Sequence, residues 1–309
     1  MANQFSSTGT IDKSVVLLLD RAIDAVFMQR NELAGAVLGQ FFDKVSIGEG
    51  LDYVIASVTS QLPFPQENED TEALPYFTAA PGFKKTLTVT EYRAGIRIAR
   101  IIIESQRHKQ AMAMATGQAK SAARLDEYLR ASIFNNAFSG TSGADSLSLC
   151  HDTHPLENPE AGTWDNASTG AMSGPNLHTM RLLARKMVDA MGDPDWQMPV
   201  ALLIPEDLEQ TALELTKSDG KPDTAINNPN VLINGMKVVI SPYLSSAVQH
   251  FLICDRQGEE KGLHEVVLSD WNIANNSPAN VDIVLDKRIR AVKGFGFSRS
   301  KNVIGSTGA

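Results

Sequence analysis

The chain has 309 residues, 43% of them hydrophobic and 21% charged, with a formal net charge of −8; this is a globular composition long enough to bury a sizeable core as one large domain or two. The acidic balance excludes a dedicated nucleic-acid binder, which needs a basic excess to replace phosphate counterions. Two cysteines, Cys150 and Cys254, more than a hundred residues apart, supply neither a CxxC site nor a disulfide framework, and fit a reducing compartment.

At the N-terminus the run Val15-Val16-Leu17-Leu18-Leu19 is closed by Asp20 and Arg21, so neither a classical export signal nor a membrane span is expected. Val15, Leu18, Leu19, Ala22, Val26 and Phe27 share one face of a predicted amphipathic helix within 11–42. Gly48 and Gly50 end that pattern. A short second helix is predicted over 51–60, followed by an exposed loop with Pro63, Pro65 and the acidic residues Glu67, Glu69, Asp70 and Glu72. From 83 to 103 the alternation Thr86-Leu87-Thr88-Val89-Thr90, resumed by Ile96-Arg97-Ile98, predicts two extended runs bent near Tyr92 to Gly95, or one run pairing back to Ala73-Phe77, in either case a long β ribbon with little core of its own.

The segment 104–138 contains no proline and one glycine, Gly117. Ala115, Ala119, Ala122, Leu125, Leu129 and Ile133 recur at steps of three and four, with Lys120, Arg124, Asp126, Glu127 and Arg130 assigned to other faces. One helix of about 30 residues, roughly 45–50 Å long, is predicted as a structural strut. Residues 139–175 are rich in Gly, Ser, Asn, Asp and Pro and read as a long irregular excursion. Ser173 or Asn176 then caps a helix running to Met187. An α/β pattern follows: a strand over 200–204, a helix from Pro205 to about Leu215, a polar loop over 218–230, and a hairpin turning at Asn234-Gly235. Strands over 248–254, 266–268 and 281–292 complete the chain.

This order of elements resembles the major capsid proteins of tailed double-stranded DNA bacteriophages, with the Hong Kong 97-like fold. The most specific stretch is Leu202-Leu203-Ile204-Pro205, then Leu208, Thr211 and Ala212, then Asn230-Val231-Leu232 and Val238-Val239-Ile240-Ser241-Pro242-Tyr243-Leu244. His154-Pro155 and the closing Arg288-Ile289-Arg290 to Gly294 add to it. The resemblance implies an α+β chain with an N-terminal arm and helices over 1–62 and an extended β-loop with adjoining strands over 63–103. It further implies a peripheral domain with the spine helix and long loop over 104–175, an α/β axial domain over 176–280, and closing strands over 281–309 that return to the peripheral domain.

By the same resemblance the chain is a shell subunit and not an enzyme, with no cofactor. It forms hexamers and pentamers of itself, and these make an icosahedral shell around double-stranded DNA that is held without sequence-specific binding. A separate scaffolding protein, a portal and a decoration protein are the other expected partners, with no membrane; the place is the virion, after assembly in the host cytoplasm. The residues assigned to intersubunit contact in the extended loop are Phe77, Lys84, Lys85 and Arg93, and the spine-helix core is Ala122, Leu125, Leu129 and Ile133. The loop nearest the capsomer axis is represented by Ser218, Asp219, Lys221 and Asp223.

An encapsulin-like nanocompartment shell shares the architecture and differs in its contents. A metal-dependent hydrolase would use Cys150, His151 and His154, whose side chains are metal-ligand types; the segment lacks both the HExxH helical frame and a second CxxC pair, so a polar loop is the expectation. Gly294-Phe295-Gly296-Phe297 lacks the helix and lysine of a phosphate loop and reads as a bend or bulge. Asp207 and Glu209 sit where carboxylates favour a helix N-terminus.

Overall fold

The computed structural model describes residues 13–33, 37–59, 80–105, 107–140, 143–157, 162–190, 192–218, 235–255, 261–276 and 283–309. In chain order the elements are α1 (Lys13–Leu33), β1 (Asp43–Ser46), β2 (Asp52–Thr59), β3 (Ala80–Thr88), β4 (Thr90–Ala99), α2 (Arg100–Glu104) and α3 (His108–Asn135). Next come the short strands β5 (His154–Pro155), β6 (Thr163–Trp164) and β7 (Ala167–Ser168), then α4 (Gly174–Arg185), β8 (Met198–Ile204), α5 (Glu209–Lys217) and β9 (Lys237–Ile240). Strands β10 (His250–Asp255), β11 (Leu263–Asn276), β12 (Ile283–Phe297) and β13 (Val303–Ser306) close the chain.

A five-stranded sheet, in the order β7-β13-β10-β8-β9, forms the middle of a helix-sheet-helix sandwich. The period of two along each strand explains both layers. Ala201, Leu203, Phe251, Ile253 and Val303 face the C-terminal end of α3, where Ala131, Ile133 and Phe134 meet them. Leu202, Ile204, Leu252, Cys254 and Ile304 face the other way, onto Leu177, Met180 and Ala184 of α4 and Ala212 and Leu215 of α5. Helix α4 starts as its sequence requires, because the Ser173 hydroxyl accepts from the Asn176 amide and proline occupies the first turn. Strands β8 and β9 are parallel, with α5 lying between them in sequence. Of the hairpin expected at Asn234-Gly235, residues 231–234 lie outside the described residues.

The second sheet has the order β1-β11-β12-β4. Its long hairpin β11/β12 pairs Leu263 with Phe297 at one end and Asn276 with Asp286 at the other. The division placed at residue 280 therefore separates two strands that are adjacent partners, and β13 belongs to the five-stranded sheet. Sheet membership depends on pairing between distant segments, which local patterning does not encode. Helix α1 packs on the N-terminal half of α3 and on this sheet through Leu19, Ile23 and Phe27. It is also tied to β12 by the fully buried Lys287, 2.5 Å from Asp20 and 2.6 Å from Asp24.

Three local expectations are corrected. Residues 52–59 are a strand and not a helix: Tyr53, Val54, Ile55 and Val58 suit an extended backbone, and β3 supplies the partner. Gly294 and Gly296 lie inside β12 and not at a bend that ends it, with a register shift beside them where Val267 and Ser269 face Lys293 and Val292. A Cβ at Gly294 would stand 2.8 Å from the Thr88 carbonyl, so glycine here permits β3 to cross directly over β12. Asp126, Glu127 and Arg130, expected on other faces of α3, are buried.

Candidate assembly surfaces

Strands β2 and β3 form a separate two-stranded antiparallel ribbon. Its inner end is anchored, because Leu87 and Val89 are buried with Val266 and Val292, and Tyr53, Ile55 and Leu268 pack against them. This anchoring face includes the half-buried Lys85, paired in register with Ile55. The opposite face carries Val54, Ala56, Lys84 and Thr86, all exposed. The two adjacent lysines thus point to opposite faces, and only Lys84 is presented outward. Arg93 is exposed on β4 across from Arg290, whose guanidinium is bound by Glu91 at 2.7 Å. Phe77 lies outside the described residues.

Helix α3 is the element on which both cores are built. Ala122 and Ile133 are buried, and Leu125 packs half-buried against the core shared with α1. Leu129 is only partly buried and joins none of the hydrophobic clusters among the described residues. The stripe passes beside it, because a straight helix rotates about 100° per residue and its buried line moves from the α1 side to the Phe134 side.

Between the two apolar stretches lies an ionic cluster. Arg130 reaches Glu127 at 2.7 Å and Glu265 at 2.6 Å, and Lys293 reaches Asp126 at 2.8 Å and Asp270 at 2.9 Å. The Trp271 indole donates to Asp126, and the Leu38 amide donates to Glu127. Burial alone would push the Asp270 carboxyl up, but the ammonium groups of Lys44 and Lys293 hold it well below the usual carboxylate range. The cluster fixes α3 to β11 and β12 through directional bonds, which set rotation and register more narrowly than apolar packing does.

The segment from Cys150 to His154 does not converge on a common point. The Cys150 thiol is buried beside Gly305, and burial pushes it far up. His154 stacks on Trp164 with ring centroids 4.3 Å apart and bonds through Nδ1 to Asp145. His151 accepts the Thr153 amide at 3.1 Å. Among the described residues no group of three or more His, Cys, Asp or Glu side chains is arranged to hold a metal ion. Ser218 ends α5 as its C-cap, whereas Asp219, Lys221 and Asp223 lie outside the described residues.

One surface was not read from the sequence. Trp196 just before β8, and Met198 and Val200 at its start, are 66%, 61% and 40% exposed. The sequence reading places a strand over 200–204 and does not separate its exposed start from its buried end, which packs against α4 and α5.

A family model described as phage capsid protein matches residues 82–297. No curated protein matches the chain. Among solved structures, the chain is similar to the virus-like particle from Pyrococcus furiosus, with 10% identity, coverage of 93% of this chain and 98% of that one, and a TM-score of 0.54. The mature capsid of bacteriophage PhiM1 gives 11% identity, 88% and 86% coverage and a TM-score of 0.57. Mycobacterium phage Che8 gives 13%, 89% and 92%, and 0.52. No helix among the described residues is long and apolar enough to cross a membrane.

Proposed function

This chain belongs to the phage capsid protein family, a shell subunit by function, and on that premise we propose that it assembles through hexamers and pentamers of itself into an icosahedral shell around double-stranded DNA. The observation that carries the finer reading is the ribbon, whose outer face, Val54, Ala56, Lys84 and Thr86, is exposed in the subunit. A lone two-stranded ribbon is marginal in water. Its outer face gains most from a neighbouring copy in a heterologous contact of the kind that closes rings.

The α/β sandwich, with the loop of Ser218, Asp219, Lys221 and Asp223, is then the axial part of each ring, and α3 with the four-stranded sheet is the peripheral part. An acidic subunit encloses DNA without adhering to it. A separate scaffolding protein, a portal and a decoration protein are the further partners, with assembly in the host cytoplasm. The subunit catalyses nothing in this reading, and Cys150 and His154 serve packing.

Electron microscopy of the purified protein tests it. Closed icosahedral particles or five- and six-membered rings are expected, with DNA inside particles taken from the virus. A small soluble species with about one bound zinc per chain and hydrolytic activity would overturn it. Particles filled with an enzyme cargo would turn the reading to a nanocompartment shell.

A further inference from the structure

Partway along the ribbon three features coincide. Ala56 pairs with Lys84, but Val58 pairs with Pro81, so Phe83 and Gly82 together oppose Ser57. This is a β-bulge, which bends the strand that carries it. At the bulge the Ser57 hydroxyl bonds the Glu157 carboxylate and lies 3.1 Å from the Phe83 carbonyl. A Cβ at Gly82 would stand 2.6 Å from the Glu157 carboxylate and would strike the Ser57 hydroxyl. Glycine at 82 therefore leaves the room in which Glu157 meets the ribbon.

Glu157 comes from a firm base. Leu156 before it is buried in the core beneath α4, and His154 is held by Trp164 and Asp145. On the inner side of the bulge the ribbon is fixed by Tyr53, Ile55 and Leu87 against the four-stranded sheet. On the outer side the pairs among the described residues are those at Val58 and Thr59.

We propose that Ser57, Gly82 and Glu157 form a latch that sets the angle at which the outer half of the ribbon leaves the subunit, with the bulge as its hinge. Closed, the latch presents the ribbon in one direction; opened, it lets the ribbon pivot. Its consequence for shell geometry rests on the reading of the ribbon as an intersubunit contact, but the latch itself is a property of the single subunit. Glu157 and Gly82 are positioning residues in this scheme.

The test is hydrogen exchange of the full chain before assembly, followed by imaging of shells. In Glu157→Ala, amides within 57–59 and 80–83, at the bulge and beyond it, should exchange roughly tenfold faster, the order expected for one lost hydrogen bond to a charged group, with the melting temperature unchanged. Glu157→Gln still offers an acceptor to Ser57 and should stay near wild type. Gly82→Ala opens the latch from the other side, so it should match Glu157→Ala, and the double variant should add nothing further. Shells of the opened variants should be mixed in diameter.

Unchanged ribbon exchange in both single variants would overturn the latch, as would loss of protection spreading through β5, β6 and α4. A loosened ribbon with shells of wild-type size would refute its control of geometry. If Glu157→Ala loosens the ribbon while the wild-type protein builds no shells at all, the latch stands and the shell reading falls.

Discussion

Leu129 and Phe134 are both apolar residues near the end of α3, yet their surroundings differ. Phe134 is fully buried, edge-on to Phe42 at 6.4 Å and tilted against Phe251 at 5.4 Å. Phe134→Ala should cost about 3–5 kcal/mol, read as a large fall in melting temperature. Leu129→Asp should leave a cooperatively folded subunit, because a charge at a half-buried site finds water; unfolding of that variant in a melting experiment would contradict the exposure of this face. A second prediction at this scale concerns pH. His250 accepts from the Asn176 amide at Nε2 and donates to the Val248 carbonyl at Nδ1, an arrangement only the neutral ring satisfies. Burial holds its pKa below the ordinary histidine value. Burial alone would raise Asp145, but the bond from His154 and the Leu147 amide hold it below the ordinary carboxylate value, and the bond from Lys287 does the same for Asp20. A depressed folded-state pKa gives stability that is present above the unfolded value and lost as pH falls through the folded one. Melting temperature should therefore decline in two stages, one beginning below about pH 6.5 and one below about pH 3.9. His250→Gln should abolish the first stage only; a first stage that persists in that variant assigns it elsewhere.

At the scale of elements, what the sequence revealed and what it hid follow from the range of each interaction. The spacing of Ala115, Ala119 and Ala122 is local, and α3 was found from it within a few residues at each end. The burial of Asp126, Glu127 and Arg130 was not legible, because Glu265 and Lys293 lie 135 and 167 residues away from their partners. A charge on a helical wheel reads as solvated unless its counter-charge is known. Residues 51–60 were misread for a related reason: the alternation of Tyr53, Ile55 and Ser57 was present, but β3 lies beyond a connection of twenty residues, 60–79. The ionic cluster makes a sharp prediction. Lys293→Met removes the cation shared by Asp126 and Asp270 and leaves a buried carboxylate without its partner, which should cost about 3–5 kcal/mol. Replacing Asp126 with Asn in the same chain should recover part of that loss, since the stranded charge goes with it. A Lys293→Met subunit that melts like wild type would show that the cluster only fills space.

The whole molecule is two packed bodies on one helix, with a ribbon anchored at its inner end and exposed along its outer face. The spine helix and the strand-helix pattern of the α/β sandwich were legible from their local periodicities; one strand of the ribbon was read as a helix, and the membership of β11 and β13 in their sheets was not legible. The anchoring also changes how the ribbon is to be tested. Removing 66–90 would delete β3 along with Leu87 and Val89, which belong to the subunit's own core, and would report on folding as much as on assembly. The informative deletion replaces 62–77 with a short Gly-Ser turn, which spares every described strand. This protein should melt like the wild type and form no closed shells, since the core beneath the ribbon is intact while its reach to a neighbour is gone. Lys84→Glu should give a graded version of the same loss. An exposed pair is worth only about 0.2–1 kcal/mol, but it recurs at every contact of the shell and is screened by salt. Particle yield for Lys84→Glu should thus differ from wild type most at low ionic strength, and Lys85→Glu, on the anchored face, should lower the melting temperature instead. Closed shells of normal size from both the 62–77 deletion and Lys84→Glu would mean that the ribbon does not join subunits, and the contact that builds the shell would have to be sought on another exposed surface, such as the apolar one formed by Trp196, Met198 and Val200.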